Sequence, residues 1–267
     1  MQQKEFKYVS YLWDDKKAAE FSADEVSLLV YRSNLLGADL RLTNYGGGNT
    51  SCKVSDIDPL TGKEVDVLWI KGSGGDLGTL TRSGLSALFL ERLRGLESRY
   101  KGLAHEDEMV ELFNHCIFDL QSKAPSIDTP LHGFLPFKHI DHLHPDAAIA
   151  IAAAKDGESI TRELFEGKIG WVPWQKPGFD LGLQLKKCYE ANPSINGIML
   201  GSHGLFTWGD TAYTCYLNTL EVIEKCATYV EEKLLLQPAV FSGEKIPSLP
   251  ATQRHKQAAK IAPILRG

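Results

Sequence analysis

Apolar residues recur along this chain with two periods, and each nominates a different kind of element. Val26, Leu29, Val30, Ser33 and Leu36 repeat at helical spacing. They follow Ser22-Ala23-Asp24-Glu25, which has the form of a capping box, and Gly37 supplies the stop. Short apolar runs at 40–42 and 65–70 read as strands. Each leads into a glycine loop, Gly46-Gly47-Gly48-Asn49-Thr50-Ser51 and Lys71-Gly72-Ser73-Gly74-Gly75. Asp58-Pro59-Leu60-Thr61-Gly62 is turn chemistry between strands. Further helices are expected over 83–96, 106–121 and 179–189, and through the AAIAIAAA run, with Pro145 as its first residue. Strands are expected over 138–143, 169–172, 195–200 and 205–208. Asp210 is placed as cap of the longest helix, whose apolar stripe runs Tyr213, Leu217, Leu220, Ile223, Ala227, Val230 and Leu234. Alternating strands and helices point to an α/β layered domain. Beyond 237 the texture changes, with Pro247, Pro250 and Pro263 around one short polar helix. Residues 1–237 therefore read as the domain and 238–267 as a helix and connector.

Composition narrows the function classes. A length of 267 residues with 43% apolar and 24% charged content fits one large globular domain. A formal charge of −5 speaks against a nucleic-acid surface, which is usually basic. There is no apolar run of the ~18 residues that a membrane span needs, and the first residues lack a signal-peptide core. Cys52, Cys116, Cys188, Cys215 and Cys226 are scattered without a Cys-x-x-Cys pair, which reads as reduced thiols in a cytoplasm.

The chemistry concentrates in histidines. His142 and His144 stand at i and i+2 in an extended segment, so both rings point the same way. His203, among Gly201, Ser202 and Gly204, supplies a third nitrogen from a second strand end. Three protein ligands with an open fourth position is the catalytic arrangement for zinc. His105-Glu106-Asp107-Glu108-Met109 fails as a metalloprotease helix because Met109 stands where a second histidine is required. His115, His139 and His255 read as structural or surface residues. The glycine loops match neither a P-loop nor a dinucleotide fingerprint. As neutral cradles they offer Asn49, Thr50, Ser51, Ser73, Gly74 and Gly75 to a phosphate. Asp128, in Pro125-Ser126-Ile127-Asp128-Thr129-Pro130, is either a capping carboxylate or a proton shuttle beside a cation.

The ordered set GGGNTS, KGSGG, PSIDTPLH, HLH and SHG resembles the class II aldolase/adducin family over roughly residues 25–235. The resemblance implies a three-layer α/β/α sandwich around a mixed, largely antiparallel sheet, assembled as a homo-oligomer with a tetramer favoured. It implies one Zn2+ per subunit on His142, His144 and His203, with phosphate contacts from Asn49, Ser73, Gly74 and Ser126. Asp128 falls where the family's sugar-phosphate aldolases carry a catalytic glutamate, and Ile127 replaces a small polar neighbour. The implied activity is retro-aldol cleavage of a ketose 1-phosphate, L-rhamnulose 1-phosphate foremost, to dihydroxyacetone phosphate and lactaldehyde. Epimerase, dehydratase and fuculose-phosphate aldolase chemistry on the same scaffold are the alternatives, together with a non-catalytic adducin-like module. Within the family the chain is similar to the aldolase half of bifunctional aldolase/dehydrogenase proteins, so the tail is expected to lead toward a dehydrogenase domain.

Overall fold

The computed structural model describes residues 5–236 and 247–266. Seven strands form one sheet: β1 (Asn49–Ile57), β2 (Glu64–Lys71), β3 (Leu85–Phe89), β4 (His139–Leu143), β5 (Ile169–Val172), β6 (Gly197–Leu200) and β7 (Gly204–Gly209). Their spatial order is β3-β2-β1-β4-β7-β6-β5, antiparallel at every step except β5 beside β6. The helices are α1 (Asp15–Ala19), α2 (Glu25–Gly37), α3 (Leu90–Gly95), α4 (Glu106–Leu112), α5 (Thr129–Phe134), α6 (Asp146–Ala152), α7 (Gly157–Leu164), α8 (Phe179–Ala191), α9 (Ala212–Leu236) and α10 (Ala251–Arg266).

Side chains alternate across a strand, and here that alternation splits the core. Val67 and Trp69 of β2 join Leu205 of β7 in one apolar cluster with Leu29 and Leu36 of α2, Ile151 of α6 and Leu220 of α9. Their neighbours Leu68 and Ile70 cluster on the other side with Leu93 of α3 and Met109 of α4. Ile140 and Phe206 likewise meet Leu131 of α5 and Leu185 of α8. A mixed, largely antiparallel sheet between two helical layers is the expected three-layer sandwich.

Because β2, β1, β4 and β7 are successive antiparallel neighbours, four of their ends meet at one end of the sheet: Lys71, Asn49, Leu143 and Gly204. A buried polar knot fixes the strand in the middle. Arg32 of α2 places Nε 3.0 Å from Asp141 Oδ1 of β4 and donates from Nη2 to the Ser51 carbonyl of β1 at 2.9 Å. Thr219 of α9 donates to the other Asp141 oxygen at 2.9 Å. Both charged side chains are fully buried, and deleting one partner of such a pair typically costs about 3–5 kcal/mol.

Several sequence expectations are corrected. Residues 40–42 form a turn rather than a strand. The stretch 83–96 is not one helix: Leu85–Phe89 pairs with β2 as an edge strand before α3 begins. Its apolar run fits either period, and the open edge of β2 decides it. Over 106–121 the helix ends at Leu112 in a tighter turn, Phe113–Cys116. The cap of α2 is Asp24, which accepts from Val26 N–H at 3.0 Å and from Ser27 Oγ at 2.7 Å, displacing Ser22. Thr211 replaces Asp210 at the start of α9, accepting from Thr214 N–H at 3.0 Å. Pro145 is the N-cap of α6, not its first residue.

The chain divides into two compact units, Met1–Val230 and Glu231–Gly267. In the second, α10 buries no residue. The expected boundary between 237 and 238 lies outside the described residues. Among those residues no helix is long and apolar enough to cross a membrane.

Candidate metal centre and the loops around it

His142 occupies β4, and His144 follows directly after its end. His203 ends the turn between β6 and β7, where Ser202 takes a left-handed φ of +53° and donates its N–H to the Ala152 carbonyl at 2.9 Å. Gly204 opens β7, and a Cβ there would stand 2.7 Å from both the His144 ring and the Leu143 carbonyl. Glycine therefore lets β7 close on β4 at the site of the ligands. Gly48 does the same for the first loop, with φ +74° and a Cβ position 2.8 Å from the His142 carbonyl.

The three rings offer nitrogens that all lie within 4.8 Å of one another. His142 Nδ1 sits 3.1 Å from the Leu205 carbonyl, which only accepts, so the ring carries its proton there and turns the Nε2 lone pair inward. Phe206 stacks on that ring at 4.3 Å and 13°, fixing its plane. His144 Nε2 faces His142 Nε2 at 3.0 Å. Two nitrogens bound to one tetrahedral zinc at ~2.0–2.1 Å stand ~3.3 Å apart, so the spacing suits a shared ion. Burial holds all three rings neutral: it pushes His142 far below the ordinary histidine range, His144 down, and His203 down to about 4. Neutral imidazoles with converging lone pairs are the donor set a divalent metal needs.

Asp128 precedes α5 at the cap position but caps nothing. Its Oδ1 is buried without a hydrogen-bond partner. Burial raises its carboxyl to about 6, against the pull of the Lys71 ammonium. The capping alternative is thereby removed, and a carboxylate poised near neutrality is left. Ser126 is buried and its Oγ accepts from Asp128 N–H at 3.3 Å, so it shapes the Asp128 backbone while keeping its own proton to donate.

The phosphate set changes. Thr50 and Ser51 are fully buried, and their hydroxyls face Ser33 Oγ at 2.6 Å and His132 Nδ1 at 2.8 Å. They belong to the core, because strand register points them inward. Asn49 donates to the Lys71 carbonyl at 3.1 Å, tying the start of β1 to the end of β2 and leaving one amide N–H and its Oδ1. Ser73 donates its N–H to the Ala124 carbonyl at 3.0 Å, but its side chain is exposed, as are Gly74 and Gly75. Asp76 accepts from Gly46 N–H and so ties one loop to the other. Lys71, only 3% exposed, heads the second glycine loop, where sequence alone assigned it no role. Its signal was a lysine closing the otherwise apolar run Val67-Leu68-Trp69-Ile70.

Comparison with known proteins agrees with this architecture. The chain is 40% identical over 259 residues to a curated relative, the uncharacterized oxidoreductase YuxG of Bacillus subtilis (strain 168). That match covers 97% of this chain, which spans only 37% of the relative's length. The N-terminal class II aldolase domain of a conserved protein from Thermoplasma acidophilum superposes with a TM-score of 0.70 at 28% identity, covering 85% of this chain and 100% of that one. A sugar-phosphate aldolase from Thermotoga maritima shares the fold at a TM-score of 0.58 and 18% identity, covering 80% of this chain and 97% of its own. The model of the class II aldolase and adducin N-terminal domain matches residues 28–230, and it is to this family that the chain belongs.

Proposed function

We propose that this chain is a zinc-dependent aldehyde-lyase that cleaves L-rhamnulose 1-phosphate to dihydroxyacetone phosphate and lactaldehyde. Membership of a family of metal-dependent aldolases supports an enzyme with aldolase-like chemistry, and the particular sugar comes from the motif resemblance. One observation carries the reading: three neutral imidazoles converge at the sheet end where an unpartnered carboxylate also lies buried.

His142, His144 and His203 would hold the ion. The chemistry it supplies there is Lewis-acid stabilisation of charge developing on the substrate's oxygens. Asp128 accepts the proton of the C4 hydroxyl as the C3–C4 bond breaks, and C4 leaves as an aldehyde. The bonding electron pair stays on the three-carbon phosphate fragment. In the condensation direction Asp128 returns the proton. An aspartate is one methylene shorter than the family's glutamate, and its place directly before α5 sets its reach.

The assembly is a homo-oligomer on this reading, with a tetramer favoured by the resemblance, and the compartment is the cytoplasm. Five unpaired cysteines support the second point. Neither nucleic acid nor membrane is a partner.

The deciding experiment pairs elemental analysis with a cleavage assay. His203→Ala should lose both stoichiometric metal and release of dihydroxyacetone phosphate. A variant that keeps its turnover would reject the metal assignment, whereas an epimerised product without cleavage would transfer the site to a different reaction.

A further inference from the structure

Two polar atoms at α5 are buried without a hydrogen-bond partner among the described residues: Asp128 Oδ1, directly before the helix, and His132 Nε2, within it. Leaving such an atom unsatisfied is costly, and native structures rarely do so. Asp128 keeps right-handed helical backbone angles, φ −80° and ψ 0°. The two residues are four positions apart, so one helical turn sets their side chains on the same face.

The surroundings of His132 fix where its proton sits. The ring is fully buried, and burial, with the Lys53 and Arg32 charges, pushes it well below the ordinary histidine range, so it is neutral. Its Nδ1 lies 2.8 Å from Ser51 Oγ, the one partner that this buried hydroxyl has among the described residues. Were the ring the donor, the hydroxyl proton and the Nε2 lone pair would both go unsatisfied. With Ser51 donating, only one group is left over, an N–H at Nε2. Lys71, at the ligand end of the sheet, faces Asp128, while Lys53, two residues beyond Ser51 in β1, faces His132. The ring also rests on Phe206 at 5.2 Å, the phenyl that stacks on His142. It thus fills the layer between α5 and the sheet, one turn behind Asp128.

We propose that His132 is a positioning residue for Asp128: its Nε2–H and Asp128 Oδ1 hold one buried water between them, which leaves Oδ2 for the substrate hydroxyl. The assignment rests on the reading of Asp128 as the proton carrier. A water that accepts from one of these atoms and donates to the other satisfies both. The link fixes which carboxylate oxygen works and favours its charged form. Ser51 then acts at one remove, by setting the tautomer. Lys71, Lys53 and Arg32 are the charged groups whose fields reach the pair. The helices packed on α5 meet it through Leu93 of α3 at Gly133 and Gly182 of α8 at Pro130, and Arg94 of α3 donates to the Gly133 carbonyl at 2.9 Å.

Two NMR readouts on the full chain, at the same zinc content throughout, form the test. In the parent, nitrogen spectra should show His132 neutral with its proton on Nε2; a proton on Nδ1 overturns the proposal. The Asp128 carboxyl carbon is then titrated in the parent, in His132→Asn and in His132→Gln. Asparagine keeps a group that meets Ser51 but lacks the donor at Nε2, whereas glutamine keeps a donor near that position. Asp128 should titrate about one pH unit higher in His132→Asn, the worth of a hydrogen bond to a charged group, and close to the parent in His132→Gln. A parental value in His132→Asn overturns the link. An equal rise in both variants overturns it too, since the ring would then serve packing only. If His132→Asn does not fold, the tautomer in the parent decides. Turnover is read in neither experiment. Failure to cleave a sugar phosphate would sink the retro-aldol reaction and leave the His132 link standing.

Discussion

Asp128 shows how much a single position contributes when its surroundings refuse it a partner. The carboxyl is raised to about 6 by burial, from 3.8, so the folded chain holds this proton more firmly than the unfolded chain does. Stability contributed by the protonated group is present below pH ~4 and is lost as pH rises through about 6. In metal-free protein, Asp128→Asn should therefore melt at a higher temperature than the parent above pH 6, and the advantage should vanish below pH 4. Thermal unfolding across that range checks the sign. In the metal-loaded enzyme the same substitution should retain the ion and lower turnover about 10²–10⁴-fold, the usual worth of a positioned acid–base group. Parental turnover should in turn fall as pH drops below about 6. The convergence of His142 and His144 was legible in the sequence because an i, i+2 pair in an extended segment needs no tertiary information. The hydroxyls of Thr50 and Ser51 were not legible, since the face each one takes depends on the pairing of β1 with β4.

At the scale of elements, the site is made by how closely β7 approaches β4. Leu143 pairs with Leu205 in that register, and Gly204 is the position where a side chain would intrude on the ligands. Gly204→Ala should weaken metal affinity by about 10–100-fold, the range typical of a disturbed ligand environment, with the fold retained. Competition against a metal chelator, alongside circular dichroism, measures both. The strands that flank the three histidines read correctly because β6 and β7 are short apolar runs beside glycines, while β4, of mixed polarity, is delimited by Pro136 and Pro145. The largest misreading has a tertiary cause. Leu85–Phe89 is apolar enough for a helix, and only the unpaired edge of β2 makes it a strand. The stripe of α9 was also misplaced: of its residues only Leu220 and Ile223 are buried, Leu234 is exposed, and the buried face runs instead through Ala212, Cys215, Tyr216, Thr219, Val222 and Cys226. Thr219 and Cys215 both reach Asp141, a contact invisible to a count of apolar positions.

For the whole molecule, the layered fold followed from alternating elements, whereas the end of the sheet that holds the chemistry followed only from the strand order. The three imidazoles come from two segments some sixty residues apart that are brought together by the β4–β7 ladder. An ion that needs all three nitrogens therefore acts as a witness to that long-range event. During refolding, tight capture of a divalent cation should lag behind helix formation and coincide with the ordering of Trp208, which lies opposite Ile140 in the same ladder. Stopped-flow tryptophan fluorescence, recorded together with a coloured cobalt probe, would compare the two clocks. Uptake well before the ladder closes would mean that fewer than three imidazoles suffice to trap the ion.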